Sequence, residues 1–424
     1  MVKKNKKVKV GVFGVGRGQW LLESMIMHPD AEIVAICDFS KLRLELCKNK
    51  NRNYPHKVTY YEDFDKFINH DMDAVVLANY ATEHAPYAVR LLDSGRHVCS
   101  EVLACQRLSE AVALVESVER NKKIYTYAEN YCYFRGTQEM RRLYRKGVIG
   151  EFIYGEGEYV HDCESIWVSI TYGEKNHWRN WVPSTYYCTH SIGPILTITG
   201  TRPIRITAYE TPNINKRKFG CRSADGAVIV CQMSNGAVAK FLPWCNFRRH
   251  PDSIWYIVYG EKGVMETNRW DDTFNRINIF LKDDKGTIKK RSYKPKFPFE
   301  NRINRITVGH GGSDFYVMHY FIETILGRCE HGFVIDVYQA LDMTLPGIFG
   351  YKSILNGNMP IDIPDFRDKK IRDKYRNDNW CLDPKYAEYP GQPQYSCSTG
   401  PVKIPDSLYY KQSQQYKKMM QKIL

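Results

Sequence analysis

The chain has 424 residues, 43% of them hydrophobic, so it is long enough for two or three domains that each bury a core. Its net charge of +14 comes mainly from lysines at both ends, as on a solvated surface, so we expect no nucleic-acid partner. The thirteen cysteines lack metal-ligand spacing, and neither a membrane-length apolar run nor a secretory signal is present, which predicts a cytoplasmic protein without a metal or a membrane partner.

Strands and helices alternate in the first third of the chain. An apolar strand at residues 8–13 is followed by the helical pattern QWLLESMIMHP and by the β-branched strand AEIVAIC. The alternation continues through AVVLANY, EHAPYAVRLLDSG and RHVCSEV. This order predicts an α/β fold whose N-terminal part, residues 1–130, is a doubly wound parallel sheet of the Rossmann type.

The pattern changes near residue 130. A basic amphipathic helix precedes long strands joined by S-N-G and E-K-G turns, which are hairpin signals, and two apolar helices follow. We therefore predict a second α/β domain at 131–365, built on a large, open, mainly antiparallel sheet. Residues 366–424 are rich in proline, tyrosine and charge with little periodicity, which predicts a tail packed on the surface.

The glycine turn VFGVGRGQW joins the first strand to the first helix. Gly14 would make the tight turn, and Gly16 would let the backbone approach a pyrophosphate at the helix N-terminus. Gln19 replaces the third glycine of G-x-G-x-x-G, and Gly18 beside it would relieve crowding between helix and strand. Asp38 ends the second strand, where a carboxylate can bind an adenosine ribose. This context favours a dinucleotide site over a turn without a ligand.

Asp38 also predicts which dinucleotide binds. A carboxylate suits the two free ribose hydroxyls of NAD and repels the extra phosphate of NADP, so we expect NAD as the cofactor. Ser40, Lys41 and Arg43 follow closely and leave NADP open as the alternative.

The chain up to about residue 365 resembles a known family. TEHAPYAVRLLDSGRHVCSEV is similar to the signature of the Gfo/Idh/MocA oxidoreductases, whose dehydrogenases continue it as E-K-P with an active-site lysine. Here Val102 follows Glu101, and an apolar side chain can neither donate nor accept a proton. The NAD-dependent glycosidases of the α-N-acetylgalactosaminidase type, glycoside hydrolase family 109, also lack that lysine. The motifs EN, RKGVIGEFIYGEGEYVHD, HWR, YCTHSIGP and GHGGSDF resemble this branch in order and spacing.

Two departures from that branch affect the sugar pocket. Cys188 stands at the proline of the family's Y-P-T-H motif. The segment between Arg179 and Tyr187 is also shorter than usual, so we expect a different pocket wall.

The resemblance implies a redox-neutral hydrolysis. NAD⁺ takes hydride from carbon 3 of a sugar, and the resulting ketone acidifies the proton at carbon 2. A base removes that proton as the glycosidic oxygen leaves carbon 1; water then adds, and the hydride returns to carbon 3. The implied substrate is a small carbohydrate, α-linked N-acetylgalactosamine or a related hexoside. Open sheets in this family often pair, which leaves a homo-oligomer open.

The resemblance assigns four catalytic residues. Tyr159 would act on the carbon 2 proton, with His161 polarising it, and two positions apart on a strand both would face one side. His190 would act on the carbon 3 hydroxyl. Tyr187 would contact the sugar face or the leaving oxygen.

Further residues would bind the two ligands. The residues implied for substrate binding are Glu129, Trp178 and Arg179. The residues implied for cofactor binding are Gly14, Gly16, Arg17, Gly18, Asp38, Asn79, His84, Glu101 and Asn130.

Other functions remain open from the residues alone. A sugar or cyclitol dehydrogenase could use Tyr159 or His190 in place of a lysine, and a non-catalytic protein could bind NAD or a sugar. A tyrosine and histidine pair on a strand is more often a hydrogen-bonded core pair than a catalytic one. His310, in GHGGSDF, is expected to be structural with some contact to the site. A metal cluster of His161, Asp162, His177 and His190 would follow no recognised ligand pattern.

Overall fold

The computed structural model describes residues 7–270, 276–297, 309–329, 333–388, 391–393 and 398–422, so the lysine-rich start at 1–6 lies outside it. The N-terminal elements are β1 (Val8–Phe13), α1 (Gly18–Ile26), β2 (Ala31–Cys37), α2 (Lys41–Lys50), β3 (Thr59–Tyr61), α3 (Phe64–Phe67), β4 (Ala74–Leu77), α4 (His84–Asp93), β5 (His97–Ser100), α5 (Leu108–Asn121) and β6 (Tyr125–Tyr127). Strands therefore alternate with helices, as the sequence pattern predicts.

The N-terminal strands form one parallel sheet in the order β3-β2-β1-β4-β5-β6. Both faces are covered, because Val12 and Phe13, which point to opposite faces of the central strand β1, are both buried. This is the predicted Rossmann sheet, and the order reverses beside β1, where such sheets bind ligands at the carboxyl ends of their strands. The residues that follow those ends include Gly14, Asp38, Asn79, Glu101 and Glu129.

The second part of the chain contributes the remaining elements. These are α6 (Arg135–Arg145), β7 (Phe152–Val160), α7 (Trp167–Ile170), α8 (Thr189–Thr199), β8 (Pro203–Glu210), β9 (Ala227–Met233), β10 (Val238–Cys245), β11 (Ser253–Gly260), β12 (Gly263–Thr267), β13 (Ile277–Lys282), β14 (Ile288–Tyr293), α9 (Ser313–Ile325), α10 (Val337–Leu355), β15 (Ile361–Asp362), α11 (Lys369–Arg372) and α12 (Asp406–Gln421). The strand β14 was not predicted, since its exposed, basic sequence IKKRSY shows no apolar alternation.

These strands form a large mixed sheet in the order β14-β13-β12-β11-β7-β10-β9-β8-β15. The pairing of β7 with β10 is parallel and the other pairings are antiparallel, which confirms the mainly antiparallel sheet that the turns predict. Helix α8 lies close against this sheet because β7 has a glycine there: a Cβ at Gly157 would lie 2.0 Å from the carbonyl oxygen of Ser191.

The two sheets share one hydrophobic core. Helix α9 packs on α1, and α10 packs on α5 and β6. The backbone N–H of Tyr127, in the first sheet, donates to the carbonyl of Ile335 just before α10. The chain passes from one sheet to the other between β6 and α6, and the exact domain bounds stay a prediction.

The tail contains a helix that the sequence analysis did not predict. Helix α12 has 16 residues, and its inward face carries the buried side chains of Tyr409, Gln412 and Met420. Their spacing is helical, but tyrosine and glutamine do not register as an apolar face. None of the described helices is long and apolar enough to cross a membrane.

Candidate active site

The glycine turn between β1 and α1 runs close to the end of β4. Gly14 has a φ of +93°, and a Cβ there would lie 2.4 Å from the carbonyl carbon of Ala78. Both facts require glycine at this position. A Cβ at Gly18 would lie 3.1 Å from the Cβ of Ala78, so the tight contact between helix and strand occurs at residue 18 and leaves room for Gln19.

A cavity of about 400 Å³ opens beside the glycine turn. Its size and aromatic walls suit the adenosine half of a dinucleotide. Its wall includes Gly16, Asp38, Phe39, Asn79, Tyr80 and Tyr172.

Asp38 lies at this cavity with most of its acceptor capacity already used. Its Oδ2 accepts from the backbone N–H of Val15 at 2.9 Å, which holds the glycine turn. Its Oδ1 accepts from the N–H of Ser40 at 2.8 Å and from Nε of Arg43 at 3.0 Å. A carboxylate oxygen has two lone pairs, so Oδ2 can still accept one ribose hydroxyl.

The side-chain amide of Asn79 indicates whether the residues around the cavity fit a dinucleotide. Its side-chain nitrogen and oxygen are both buried, and neither has a hydrogen-bond partner among the described residues. Buried amides are nearly always paired, so this one fits a polar ligand that enters the cavity.

His84 lies behind the same loop. It is 1% exposed, and its ring nitrogens contact the carbonyl oxygens of Leu103 at 3.0 Å and Asn79 at 3.3 Å. Burial lowers the pKa of His84 to about 4, so the ring is neutral. These contacts favour a role in holding the backbone under Asn79 over direct contact with a cofactor.

Arg17 links the glycine turn to α9 through a buried carboxylate. Its Nη1 and Nη2 lie 3.0 and 2.6 Å from the two oxygens of Asp314, and its Nε lies 3.0 Å from Glu101. Asn130 and His310 also donate to Asp314, at 3.2 and 3.0 Å. Burial alone would raise the pKa of Asp314, but Arg17 and His310 outweigh it and hold the pKa well below its usual range. No sequence motif predicts a role for Asp314, because its partner Arg17 lies 297 positions away.

Glu129 and His190 form the centre of the second cluster. His190, in the first turn of α8, donates from Nδ1 to Oε1 of Glu129 at 2.7 Å. Glu129 is fully buried, and its Oε2 has no partner in the described part of the chain. A Cβ at Gly193 would lie 2.9 Å from Cγ of Glu129, so the glycine makes room for this carboxylate.

Three tyrosine rings surround His190. Tyr131 stacks on it with centroids 4.3 Å apart, while Tyr159 and Tyr187 approach edge-on at 4.7 and 4.9 Å. The structure thus brings three of the four predicted catalytic residues together. Tyr131 was missed by the sequence analysis, and its place directly after the EN motif was the available signal.

Arg179 sets the electrostatics of two of these phenols. Burial raises the pKa of Tyr159 and of Tyr187, and Arg179 acts on both in the opposite direction. The Arg179 guanidinium lies 4.3 Å from the ring centroid of Trp178 and 5.4 Å from that of Tyr187. Trp178 itself stacks on Tyr187, so both predicted substrate residues adjoin the tyrosine cluster.

His161 differs from expectation. Strand β7 ends at Val160, so the prediction that His161 shares a strand face with Tyr159 is wrong. Its Nδ1 lies 3.0 Å from Sγ of Cys163 and its Nε2 lies 3.4 Å from Asp252. Burial alone would lower the pKa of His161, but Cys163 and Asp252 raise it overall. The two rings stay neighbours, with centroids 5.9 Å apart.

Two family models match this chain. Residues 8–129 match an oxidoreductase family described by its NAD-binding Rossmann fold. Residues 133–373, more than half of the chain, match the C-terminal domain of glycosyl hydrolase 109.

The chain belongs to glycosyl hydrolase family 109. A family 109 protein of Phocaeicola vulgatus is 30% identical over 413 residues, which cover 86% of this chain and 78% of the relative. Another, from Saccharopolyspora erythraea, is 24% identical over 400 residues, covering 85% of this chain and 84% of the relative. The family and the NAD-binding domain predicted from the motifs are thereby confirmed.

Solved structures share the fold of this family 109 chain. Levoglucosan dehydrogenase in complex with NADH and levoglucosan superposes with a TM-score of 0.70 at 16% identity, over 85% of this chain and 100% of the other. An inositol dehydrogenase homolog from Azotobacter vinelandii, complexed with NADH and myo-inositol, superposes with a TM-score of 0.67 at 16% identity. The match covers 85% of this chain and 98% of the other.

Val102 and Cys188, which replace the lysine and the proline of the expected motifs, both lie in the interior of this family 109 protein. Val102, where dehydrogenases carry lysine, is 5% exposed within the hydrophobic core. Cys188, at the expected proline, is fully buried, and its thiol donates to the carbonyl of Met343 in α10. The change from proline to cysteine therefore affects the packing between α8 and α10 more than the pocket wall.

The described residues hold one group of side chains close enough to share a metal ion, namely His28, His319 and Glu323. Nδ1 of His28 accepts from the N–H of Asp30 at 3.2 Å, so its proton is on Nε2, which lies 3.0 Å from Nδ1 of His319. A metal at Nε2 would displace that proton. The arrangement fits a hydrogen-bonded histidine pair between α1 and α9, apart from the family 109 site.

The environment of Asp38 gives a prediction for cofactor choice in this family 109 protein. Replacing Asp38 by alanine should narrow the preference for NAD over NADP by about tenfold, because the repulsion of the phosphate disappears and Arg43 becomes available to it. Dissociation constants for both cofactors, measured by titration calorimetry, give the ratio. In the double variant Asp38→Ala, Arg43→Ala, the increase in affinity for NADP should disappear. An unchanged ratio of the two dissociation constants in Asp38→Ala would contradict the role of Asp38 in cofactor choice.

Proposed function

We propose that this family 109 protein is an NAD-dependent glycosidase that cleaves an α-linked N-acetylgalactosaminide or a related hexoside. The observation that carries the proposal is the buried pair of Glu129 and His190, ringed by tyrosines, at the edge of the sheet where the cofactor residues also lie. Bound NAD⁺ would supply a hydride acceptor and, later in the cycle, a hydride donor.

His190 is suited to the first proton transfer. Its Nδ1–H is held by Glu129, which leaves the lone pair of Nε2 for a substrate hydroxyl. A carboxylate that orients the ring also stabilises the imidazolium that forms when Nε2 takes the proton. The second oxygen of Glu129, buried without a partner among the described residues, would accept from another sugar hydroxyl.

Tyr159 would move the proton at carbon 2. Burial raises its pKa although Arg179 acts in the opposite direction, so the phenol is protonated at neutral pH. We assign Arg179 the role of stabilising the phenolate when Tyr159 gives up its proton, in addition to holding the substrate. Tyr187 would protonate the leaving oxygen, and Trp178 would pack against the sugar face.

Val102 disfavours the dehydrogenase alternative. It is buried and apolar at the position where dehydrogenases of the wider family carry their proton-transfer lysine. An alcohol oxidation would then depend on His190 or Tyr159 as its single base, whereas an elimination needs several of the acid and base groups gathered here.

Turnover of a coloured glycoside in heavy water, without added cofactor, tests the proposal. Elimination exchanges the carbon 2 proton with solvent, whereas direct displacement at carbon 1 by two carboxylates does not. We expect many turnovers per protein, deuterium at carbon 2 of the sugar by NMR, and no lasting rise in nicotinamide absorbance.

Other results would identify the alternatives. One NADH per sugar consumed would establish a dehydrogenase, and product without deuterium would remove the elimination route. Retained NAD with no product from a panel of glycosides would favour the non-catalytic binding protein.

A further inference from the structure

One segment of the second domain reaches over the cofactor cavity; we call residues 163–180 the strap. Tyr172 and Glu174 of the strap line the cavity together with Asp38. The hydroxyl of Tyr172 would lie 2.1 Å from a Cβ at Gly16, so this ring closes directly over the glycine turn. Tyr80, on the opposite wall, donates a hydrogen bond to the Glu174 carboxylate. The strap therefore covers the adenosine end of the cavity.

The backbone of the strap is strained at its tip. Tyr172 has a φ of +55°, in the left-handed region that bulky residues rarely adopt. Such a conformation persists only where neighbouring contacts hold it. Those contacts include the Arg43 guanidinium, 4.2 Å from the Tyr172 ring centroid, and the rings of Tyr416 and His177, whose centroids lie 5.8 and 5.3 Å away.

Helix α12 supports the strap from outside. It packs on α7, which is part of the strap. A Cβ at Gly173 would lie 2.6 Å from the carbonyl oxygen of Gln412, so helix and strap are in backbone contact. The side chains of Tyr409 and Gln412 donate to the carbonyls of Gly220 and Phe219, both at 2.7 Å, and anchor the helix to the body.

Tyr416 connects this helix to the cofactor residues. Its ring lies beside that of Tyr172, which in turn carries the Arg43 guanidinium on its face, and Arg43 is paired with Asp38. A continuous set of contacts thus runs from Tyr416 through Tyr172 and Arg43 to the carboxylate that we expect to bind the ribose. Helix α12 also lies beyond residue 373, where the match to the family model ends.

We propose that α12 is a latch that keeps the strap closed over bound NAD, with Tyr416 as its positioning residue. Opening the adenosine end requires Tyr172 to move, and Tyr416 and Arg43 hold Tyr172 in place. The latch acts on the release of NAD, so the proposal is independent of which reaction the active site performs.

The rate of NAD release from the purified, NAD-loaded chain tests the latch. Tyr416→Ala should release NAD about tenfold faster, because the aromatic contact that holds Tyr172 is lost. Tyr416→Phe keeps the ring and should give a smaller increase. The released cofactor can be followed by rapid filtration and nicotinamide absorbance after reduction.

Tyr410→Ala is the matched control, since Tyr410 lies on the same helix but is 70% exposed. It should release NAD at the native rate. Thermal unfolding of the three variants shows whether a faster release of NAD results from a loss of folding stability. A native release rate in Tyr416→Ala would overturn the latch, and so would equal acceleration in both alanine variants, which would indicate a general loosening of α12.

Discussion

Replacing His190 by alanine should lower the turnover of a cleavable glycoside by about two to four orders of magnitude, the range for a lost general acid or base. The variant removes the imidazole that is hydrogen-bonded to Glu129 and that we propose as the base for the carbon 3 hydroxyl. Tyr159→Phe should fall in the same range, because the ring and its packing remain while the proton-carrying oxygen is lost. Initial rates with a coloured glycoside measure both.

Folding and cofactor content must survive for this result to concern catalysis. His56→Ala is a suitable control, because His56 is partly exposed and its Nδ1 lies 3.7 Å from Glu32 of β2, in the first sheet. It should keep the native rate. Near-native turnover in His190→Ala, or loss of bound NAD and of the cooperative unfolding transition, would return His190 to a structural role.

Replacing Arg17 by alanine should lower the free energy of unfolding by about 3 kcal/mol, the low end of the range for breaking a buried ion pair. The low end applies because the Arg17 side chain is 26% exposed, whereas Asp314 is fully buried and would lose its bidentate partner. Denaturant unfolding gives the value. Arg142→Ala, which breaks an exposed pair with Glu139, should cost less than about 1 kcal/mol.

The pair also has a defined pH dependence. The pKa of Asp314 is lowered in the folded chain, so its contribution is present above the ordinary aspartate pKa of about 4 and is lost as the pH falls below it. Arg17→Ala should weaken this acid sensitivity. If Arg17→Ala and Asp314→Ala were additive in the double variant, the two side chains would not be coupled, contrary to the structure.

The Rossmann half could be predicted because its strands are apolar on both faces and its glycines have fixed backbone requirements. Asp38 could be placed for the same reason, since a residue after β2 must lie at the sheet edge. Glu129 and His190 were also found, but as separate motifs. Their contact spans 61 positions and depends on how α8 packs against β7, which no local pattern encodes.

The strap and its latch lay beyond sequence reasoning for a different reason. Tyr172 adopts a left-handed conformation that is unfavourable locally and exists because of tertiary contacts. The face of α12 that docks carries one methionine besides tyrosine and glutamine side chains, whose burial is stabilised by hydrogen bonds to carbonyls of Phe219 and Gly220. A pattern based on hydrophobic residues does not detect such a face.

The position of Gly193 in the motif YCTHSIGP, three residues after His190, has a structural reason. His190 and Gly193 are three positions apart, about one helical turn, so they lie on the same side of α8. The space that a side chain at Gly193 would occupy is filled by the carboxylate of Glu129, which is hydrogen-bonded to the His190 imidazole. The glycine costs helix stability, about 0.5 to 1 kcal/mol relative to alanine. Since one helical turn supplies both the imidazole and the space for its partner, the pair depends on the regular winding of α8 between residues 190 and 193. A local change in its winding would separate the two.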